Sequence, residues 1–270
     1  TQLHINKSQG TITEDVSPDI GFERSINTYL GCEHGCVYCY SRPSHSYWGL
    51  SSGQDFESRI FLKPNAADLL RERLMQPSYR CKVIALGTNT DPYQPAEGRA
   101  NITRSVLLEL SKFNHPVSIV TKSASIIRDL DVIADMATRN LIKVYLSITT
   151  LKRRLSNSLE PRASTPERRL GAVRELSDAG IPTGVMVAPV IPGLTDFEIE
   201  SIIRVSADAG VRECSYAILR LPYEVKRLFK QWLMFHQPLS ASRVLALVRE
   251  VHGGRLYNPT FGLRRTGTGP

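Results

Sequence analysis

The segment S-I-N-T-Y-L-G-C-E-H-G-C-V-Y-C-Y, residues 25–40, decides how the rest of the chain is read. Residues 25–30 read as a short strand, and Gly31 then opens a loop holding Cys32, Cys36 and Cys39. The thiols are separated by three and then two residues. Three thiolates can each ligate one iron of a 4Fe–4S cluster, which leaves the fourth iron free to chelate a small molecule. The rival is a structural zinc, which needs four closed ligands and would have to recruit His34, His45, Cys81 or Cys214. No second metal-type pair follows nearby, so the cluster is the preferred reading.

Five further runs of strand character follow, at 83–86, 117–121, 143–148, 183–187 and 214–219. Amphipathic stretches lie between them, at 66–75, 104–113, 130–139, 166–179 and 197–209. Such alternation builds a parallel sheet. Two helix starts anchor the register. Thr165 before Pro166 reads as a cap for a helix that stops at Gly180, and Thr195-x-x-Glu198 reads as a capping box for one that stops at Gly210. In the first, Leu170, Val173 and Leu176 form the stripe expected against the sheet, flanked by Ala172 and Ala179. Six βα units with a metal loop directly after the first strand fit a curved, partly open (β/α)6 barrel. In such an α/β fold the site lies at the carboxyl ends of the strands. The expected division is an N-terminal extension over 1–24, the partial barrel over 25–221, and a C-terminal helical extension with a Gly- and Arg-rich tail over 222–270. Helices are expected at 224–235 and 241–251 within that extension. The polar stretches 41–57 and 89–100 are long for plain connections, which makes them candidate functional loops.

Composition agrees with one large globular unit: 270 residues, 41% hydrophobic and 22% charged. No apolar run approaches the ~20 residues that cross a bilayer. The chain opens T-Q-L-H-I-N-K rather than with a signal segment, so a cytoplasmic location without membrane attachment is expected. Clustering of three of the five cysteines points to metal binding or catalysis rather than a disulfide scaffold. Net charge is +8, and three basic groups (Lys152, Arg153 and Arg154; Arg168 and Arg169; Arg264 and Arg265) would suit a face that tracks phosphates. Solvated faces explain such runs equally well.

At the cysteine loop the chain resembles the radical S-adenosylmethionine (SAM) superfamily, which places its C-x3-C-x2-C motif after the first strand of a partial barrel and an aromatic, here Tyr38, before the last Cys. Within that superfamily it is similar to the spore photoproduct lyase group and the broader DNA repair photolyase-like proteins, over roughly residues 25–221. The resemblance implies a 4Fe–4S cluster on Cys32, Cys36 and Cys39 and a bound SAM. C-V-Y-C-Y supplies Tyr38 and Tyr40, which match tyrosines of a hydrogen-atom relay. A-L-G-T-N-T-D-P places Thr90 against the SAM methionyl group, and V-T-K places Lys122 toward its carboxylate. L-S-I-T-T places Ser147 and Thr149 where the lyase binds SAM, and Val187 is placed against adenine. Elementary chemistry agrees, because a carboxylate wants an ammonium and ribose hydroxyls want short polar partners. Plainer readings stand beside these: a solvated strand end for Lys122, a backbone-bonded hydroxyl for Ser147, a core strand for Val187.

One departure separates cofactor from reaction. Thr88 stands where the lyase has its hydrogen-donating Cys. Cys81 and Cys214 begin strands away from the open edge, with Cys214 expected in the core, so Tyr40 is left as the donor. His34, His45, Tyr47, Trp48, Asp91, Tyr93 and Arg220 are candidates for a substrate pocket, where aromatics with Arg suit an extruded base. The expected activity is reductive cleavage of SAM to a 5′-deoxyadenosyl radical that abstracts hydrogen from a substrate, with damaged DNA implied by the resemblance. RNA or a peptide as substrate, or a non-catalytic metal-stabilised nucleic-acid-binding module, are the alternatives. A reducing electron donor such as flavodoxin or ferredoxin is the expected protein partner.

Overall fold

The computed structural model describes residues 1–15 and 17–268. Ten strands are present: β1 (Gln2–Ile5), β2 (Ile12–Glu14), β3 (Arg24–Ile26), β4 (Tyr29–Leu30), β5 (Arg59–Leu62), β6 (Ile84–Leu86), β7 (Val117–Thr121), β8 (Ile142–Ser147), β9 (Thr183–Val190) and β10 (Glu213–Ile218). Seven of them form one sheet in the order β10-β9-β8-β7-β6-β3-β2. From β3 to β10 every pairing is parallel and every neighbour is the next strand of this sheet in the chain, while β2 runs antiparallel along the outside of β3. Among the described residues no pairing joins β10 to β2, so the six parallel strands make an open (β/α)6 barrel.

Each expected strand is present, with one change at the decisive segment. The run at 25–30 is broken after Ile26, and Tyr29–Leu30 leaves to pair with β5 in a separate sheet ordered β1-β5-β4. This detour turns the chain, and Gly31 completes it at φ +80°, where a Cβ would lie 2.8 Å from the Phe56 carbonyl oxygen. Only glycine takes that conformation beside a backbone so close. Residues 1–24 therefore hold two paired strands, β1 and β2.

Helices Ile102–Lys112, Leu130–Thr138, Pro166–Asp178 and Ile199–Asp208 follow β6, β7, β8 and β9 in turn. Thr165 caps the third of these through the Arg168 amide. Its buried face is Pro166, Arg169, Ala172, Val173 and Leu176, with Leu170 half-buried at the margin, so the stripe sits slightly to one side of the expected one. The capping box at Thr195 does not form. Its hydroxyl accepts from the Ile191 amide at 2.9 Å, and Glu198 turns away to accept from Thr150 Oγ1 at 2.7 Å and the Leu151 amide at 2.8 Å. A tertiary partner has outcompeted the local cap, and the helix starts at Ile199.

Two apolar cores result. One fills the space between sheet and helices, from Ile26 through Leu86, Ile119, Val144 and Val185 to Val173 and Leu176. The other joins Cys36 and Tyr38 to Leu155, Leu159, Leu219 and Leu221, and to Phe229, Trp232, Leu233, Val244 and Val248 of helices Val225–His236 and Ala241–Val251. The C-terminal helices are thus the underside of the cysteine loop rather than an appendage. No described helix is long and apolar enough to cross a membrane.

Candidate active site

The cysteine loop is held by its backbone. Arg42, itself 4% exposed, donates from Nε to the Cys36 carbonyl and from Nη2 to the Gly35 carbonyl, both at 2.9 Å. The same guanidinium reaches the Gly53 carbonyl at 2.8 Å and Glu57 Oε2 at 3.2 Å. Gln94, from the second long loop, accepts from the Glu33 amide at 2.8 Å and donates to the Gly31 carbonyl at 3.2 Å. Arg162 donates to the Glu33 carbonyl and pairs with Glu57 at 2.8 Å. These bonds occupy the loop carbonyls of Gly31, Glu33, Gly35 and Cys36 and fix the course of the loop. Cys32 and Cys36 are buried and Cys39 is half-buried.

Burial raises the Cys32 thiol well above its ordinary value, with Asp91, Cys36 and Cys39 adding to the effect. Cys36 is pushed up to about 12 by burial and then by Glu160. The three thiols lie close enough to raise one another, and thiolates there need a compensating charge as strong as a metal ion. Among the described residues no three His, Cys, Asp or Glu side chains converge on one point as ligands of a single ion. An iron–sulfur cluster makes a different demand, one thiolate on each of three irons, and three thiols gathered on one loop fit it.

Directly behind Cys36 lies a buried charge cluster. Glu160 is fully buried and pairs with Arg169, also buried, and with Lys122 Nζ at 3.3 Å. Tyr38 donates its hydroxyl to the same carboxylate, as does Thr149 at 2.8 Å. Lys122 Nζ further donates to Ser147 Oγ at 2.6 Å and to the Ala188 carbonyl at 2.9 Å, and its ammonium stands 5.7 Å from the Tyr38 ring centroid. Burial opposes ionisation of Glu160, but Arg169 and Lys122 overcome it and hold the carboxyl far below its usual range. Two cations face one carboxylate, so the cluster carries a surplus positive charge inside the protein.

Of the residues expected from sequence, Tyr38, Lys122, Ser147 and Thr149 are therefore brought into one network beside Cys36. Thr90 is buried nearby in the chain path of the loop, donating to the Tyr29 carbonyl at 3.1 Å. Val187 is 2% exposed within the main core. Tyr40 stands outside the network, 43% exposed as a residue and with its hydroxyl donated to the Thr88 carbonyl.

The other pocket candidates disperse. His34 Nδ1 lies 3.3 Å from Asp91, His45 binds the Arg59 carbonyl, Tyr93 is buried against Asp129, and Trp48 stacks on Phe61, while Tyr47 is bare. Two candidates join site residues: Asp91 accepts from the Lys122 amide at 2.7 Å, and the Arg220 guanidinium stands 4.2 Å from the Tyr40 ring centroid. Cys214 is exposed rather than in the core, because β10 is an edge strand along which no residue is fully buried. Arg169, read as part of a basic surface, is instead one of the most buried side chains in the molecule.

Glu160, Arg169 and Arg42 were not expected from sequence. Arg169 carried a signal: it falls four residues before Val173 and seven before Leu176, on the apolar face of its helix, where an arginine needs a buried partner.

An open six-stranded parallel barrel with a three-cysteine loop after its first parallel strand defines an enzyme of the iron–sulfur, SAM-dependent kind, and sequence comparison agrees. The Radical SAM superfamily profile matches residues 26–205. The chain belongs to that superfamily. An uncharacterised protein of Mycobacterium bovis is 36% identical over 230 residues, covering 84% of this chain and 68% of the relative. One of Methanocaldococcus jannaschii is 30% identical over 183 residues, covering 66% of this chain and 64% of the relative.

Among solved structures, spore photoproduct lyase complexed with dinucleoside spore photoproduct is similar at a TM-score of 0.61 and 20% identity, over 85% of this chain and 66% of the lyase. Streptococcus suis SuiB bound to S-adenosylmethionine is similar at 0.53 and 14%, over 81% of this chain and 47% of SuiB. The chain thus spans about two thirds of the lyase's length. At these identities the likeness is one of fold. Membership of the superfamily implies SAM and an iron–sulfur cluster as cofactors.

Proposed function

We propose that the chain is an enzyme that holds a 4Fe–4S cluster on Cys32, Cys36 and Cys39, cleaves SAM reductively, and abstracts hydrogen from a nucleic-acid substrate, with photoproduct-type DNA damage the first candidate. The observation that carries this reading is the surplus cation buried behind Cys36, because an internal ammonium with one carboxylate already shared invites a second. When bound, the cluster and SAM supply one electron and a strongly hydrogen-abstracting carbon radical. Everything else falls to the protein. Lys122, fixed by Ser147 and the Ala188 carbonyl, would take the methionyl carboxylate. Thr90, Ser147 and Thr149 would offer short polar contacts to the amine and ribose, and Val187 an apolar wall to the adenine. Tyr38, tied to Glu160, would keep the loop and Lys122 in register.

Hydrogen return is assigned to the tyrosines, with the phenoxyl left behind restored to phenol by an electron from the reducing donor and a proton from solvent. Thr88 lacks a thiol, its hydroxyl lies 3.3 Å from Asn27 Oδ1, and the exposed Cys81 and Cys214 lie just before β6 and at the amino-terminal end of β10, opposite the cysteine loop. Tyr40, half-exposed at the loop, is the phenol open to a substrate, with Tyr38 as its buried partner in the relay. A small reducing electron-transfer protein such as flavodoxin or ferredoxin would supply the electron.

Anaerobic reconstitution with iron and sulfide tests this directly. The expected result is a brown protein that produces 5′-deoxyadenosine from SAM, faster with ultraviolet-irradiated DNA than without. A colourless protein holding stoichiometric zinc would overturn the cluster, and cleavage indifferent to every DNA tested would overturn repair alone. For Lys122→Ala, the expected SAM dissociation constant rises on the order of 10- to 100-fold, since a hydrogen bond to a charged group contributes roughly 1.5–3 kcal/mol. Equilibrium dialysis at full iron occupancy checks this, and Lys122→Arg should recover part of the loss.

A further inference from the structure

The segment after helix Ala241–Val251 crosses the open side of the barrel. At one end His252 Nε2 lies 2.8 Å from the Leu219 carbonyl, and the Thr268 amide donates to the Val251 carbonyl at 2.7 Å. At the other, Asp19 in the β2–β3 connection accepts from the Gly262 amide and from Arg264 Nε, and Arg264 Nη2 reaches Ser17 Oγ at 2.6 Å. The Asp19 charge is thereby committed to Arg264. Arg265 finds only the Asp19 carbonyl, at 2.6 Å from Nη1, and Arg220 makes no hydrogen bond or ion pair among the described residues. Arg220 is half-buried, stacked on Tyr40, and its pKa is lowered by burial and by repulsion from Arg265 and Arg264. Gly267, two residues after Arg265, packs where a Cβ would lie 2.9 Å from Ile218 Cδ1, two residues before Arg220, and Tyr40 under the Arg220 guanidinium directly follows the last cysteine, so both unneutralised guanidiniums lie on the side of the cysteine loop.

Three guanidiniums crowded against one carboxylate cost stability unless an anion joins them, so the arrangement is an anion site built at the mouth of the barrel. Its geometry selects among anions. A planar guanidinium fork pairs bidentately with phosphate, and a phenol ring that has Arg220 on one side and belongs to a residue still 43% exposed offers a base a stacking surface. We propose that Arg220, Arg265 and Tyr40 form a cradle for one phosphodiester and its neighbouring base in a single nucleic-acid strand, setting that strand beside Cys39. The cradle rests on the nucleic-acid reading above and names the residues that would enforce it. The Asp19–Arg264 pair acts at one remove, as the tether that brings Arg265 into place.

The test is fluorescence anisotropy of the cluster-loaded protein with a labelled single-stranded DNA, over a range of salt. Arg220→Ala and Arg265→Ala are each expected to weaken binding several-fold and to flatten the plot of log affinity against log salt by about 0.7, the change expected for one phosphate contact on a single strand. Asp19→Ala should reproduce the Arg265→Ala result, and Arg174→Ala, an exposed arginine on helix Pro166–Asp178, should leave the slope unaltered. Arg220→Lys keeps the charge and should keep the slope, which separates a lost contact from a damaged fold. Unchanged slopes in folded Arg220→Ala and Arg265→Ala would overturn the cradle. Displacement of the DNA by polyglutamate at equal charge would overturn the phosphodiester and assign the site to an acidic peptide. If wild-type protein binds no DNA or RNA strand at all, the nucleic-acid reading itself falls, a result distinct from failure of the cradle alone.

Discussion

Replacing Glu160 with alanine is expected to lower the stability of the protein by about 3–5 kcal/mol, because the change strands Arg169 and Lys122 in the interior without their shared counter-charge. That is a large part of the roughly 5–15 kcal/mol that holds a domain folded. It corresponds to a fall in melting temperature on the order of 10 °C. The cost is specific to burial. Lys143 and Glu213 pair across β8 and β10 with both side chains nearly half exposed, so Glu213→Ala should cost under about 1 kcal/mol. Glu160→Gln keeps the volume and one acceptor for Tyr38 and Thr149 while removing the charge, and belongs between the two. Urea denaturation of the three variants measures the order directly. If Glu160→Ala were as mild as Glu213→Ala, the cluster behind Cys36 would be a solvated group and not a buried one.

Cys36→Ala is expected to abolish both iron retention and 5′-deoxyadenosine production, down to the background of a protein-free control. Removing one of three thiolates leaves two irons' worth of protein ligation, and the neighbouring loop offers no replacement, since His34 is held by Asp91 and His45 by the Arg59 carbonyl. The apoprotein fold should survive. Cys36 is one small member of a large apolar cluster, and loss of a single buried atom costs on the order of 1 kcal/mol. Cys81→Ala and Cys214→Ala, both on the surface, are expected to retain iron and activity in full. Iron analysis, visible absorbance and product chromatography on the same preparations distinguish these outcomes. Loss of iron in Cys214→Ala would move the ligand set away from the loop.

What could be read from sequence follows from how each feature is encoded. The six parallel strands and their helices announce themselves because burial on both faces forces runs such as V-S-I-V-T and apolar stripes at helical spacing. The small sheet is invisible for the opposite reason. Its strands β1, β4 and β5 span four, two and four residues, too few for a period to show, and β1 is largely exposed. The cysteine spacing gives the metal loop and, through resemblance, Lys122 and Ser147. It does not give Glu160, which follows a short helix of mixed polarity and acquires its partners from the cysteine loop, the residues just past β7 and β8, and a later helix. Arg42 is hidden in the same way, since a guanidinium that binds four backbone carbonyls and one carboxylate leaves no pattern in side-chain chemistry. Pairings between residues close in sequence are legible; those made by fold closure are not.

The strap across the barrel mouth bears on motion. Its contact with the β2–β3 connection joins positions 245 apart in sequence, yet helix Leu263–Thr266 buries no residue. Contacts of that kind are the first to open in a native protein, because detaching them releases a whole segment's freedom while exposing little apolar surface. Opening of its far end, residues 257–268, is therefore a local event, while His252 and Leu256 stay packed against the second core. On the proposed reading, a strand seated on Arg265 would hold that far end down, so its release and the release of the substrate would be one event.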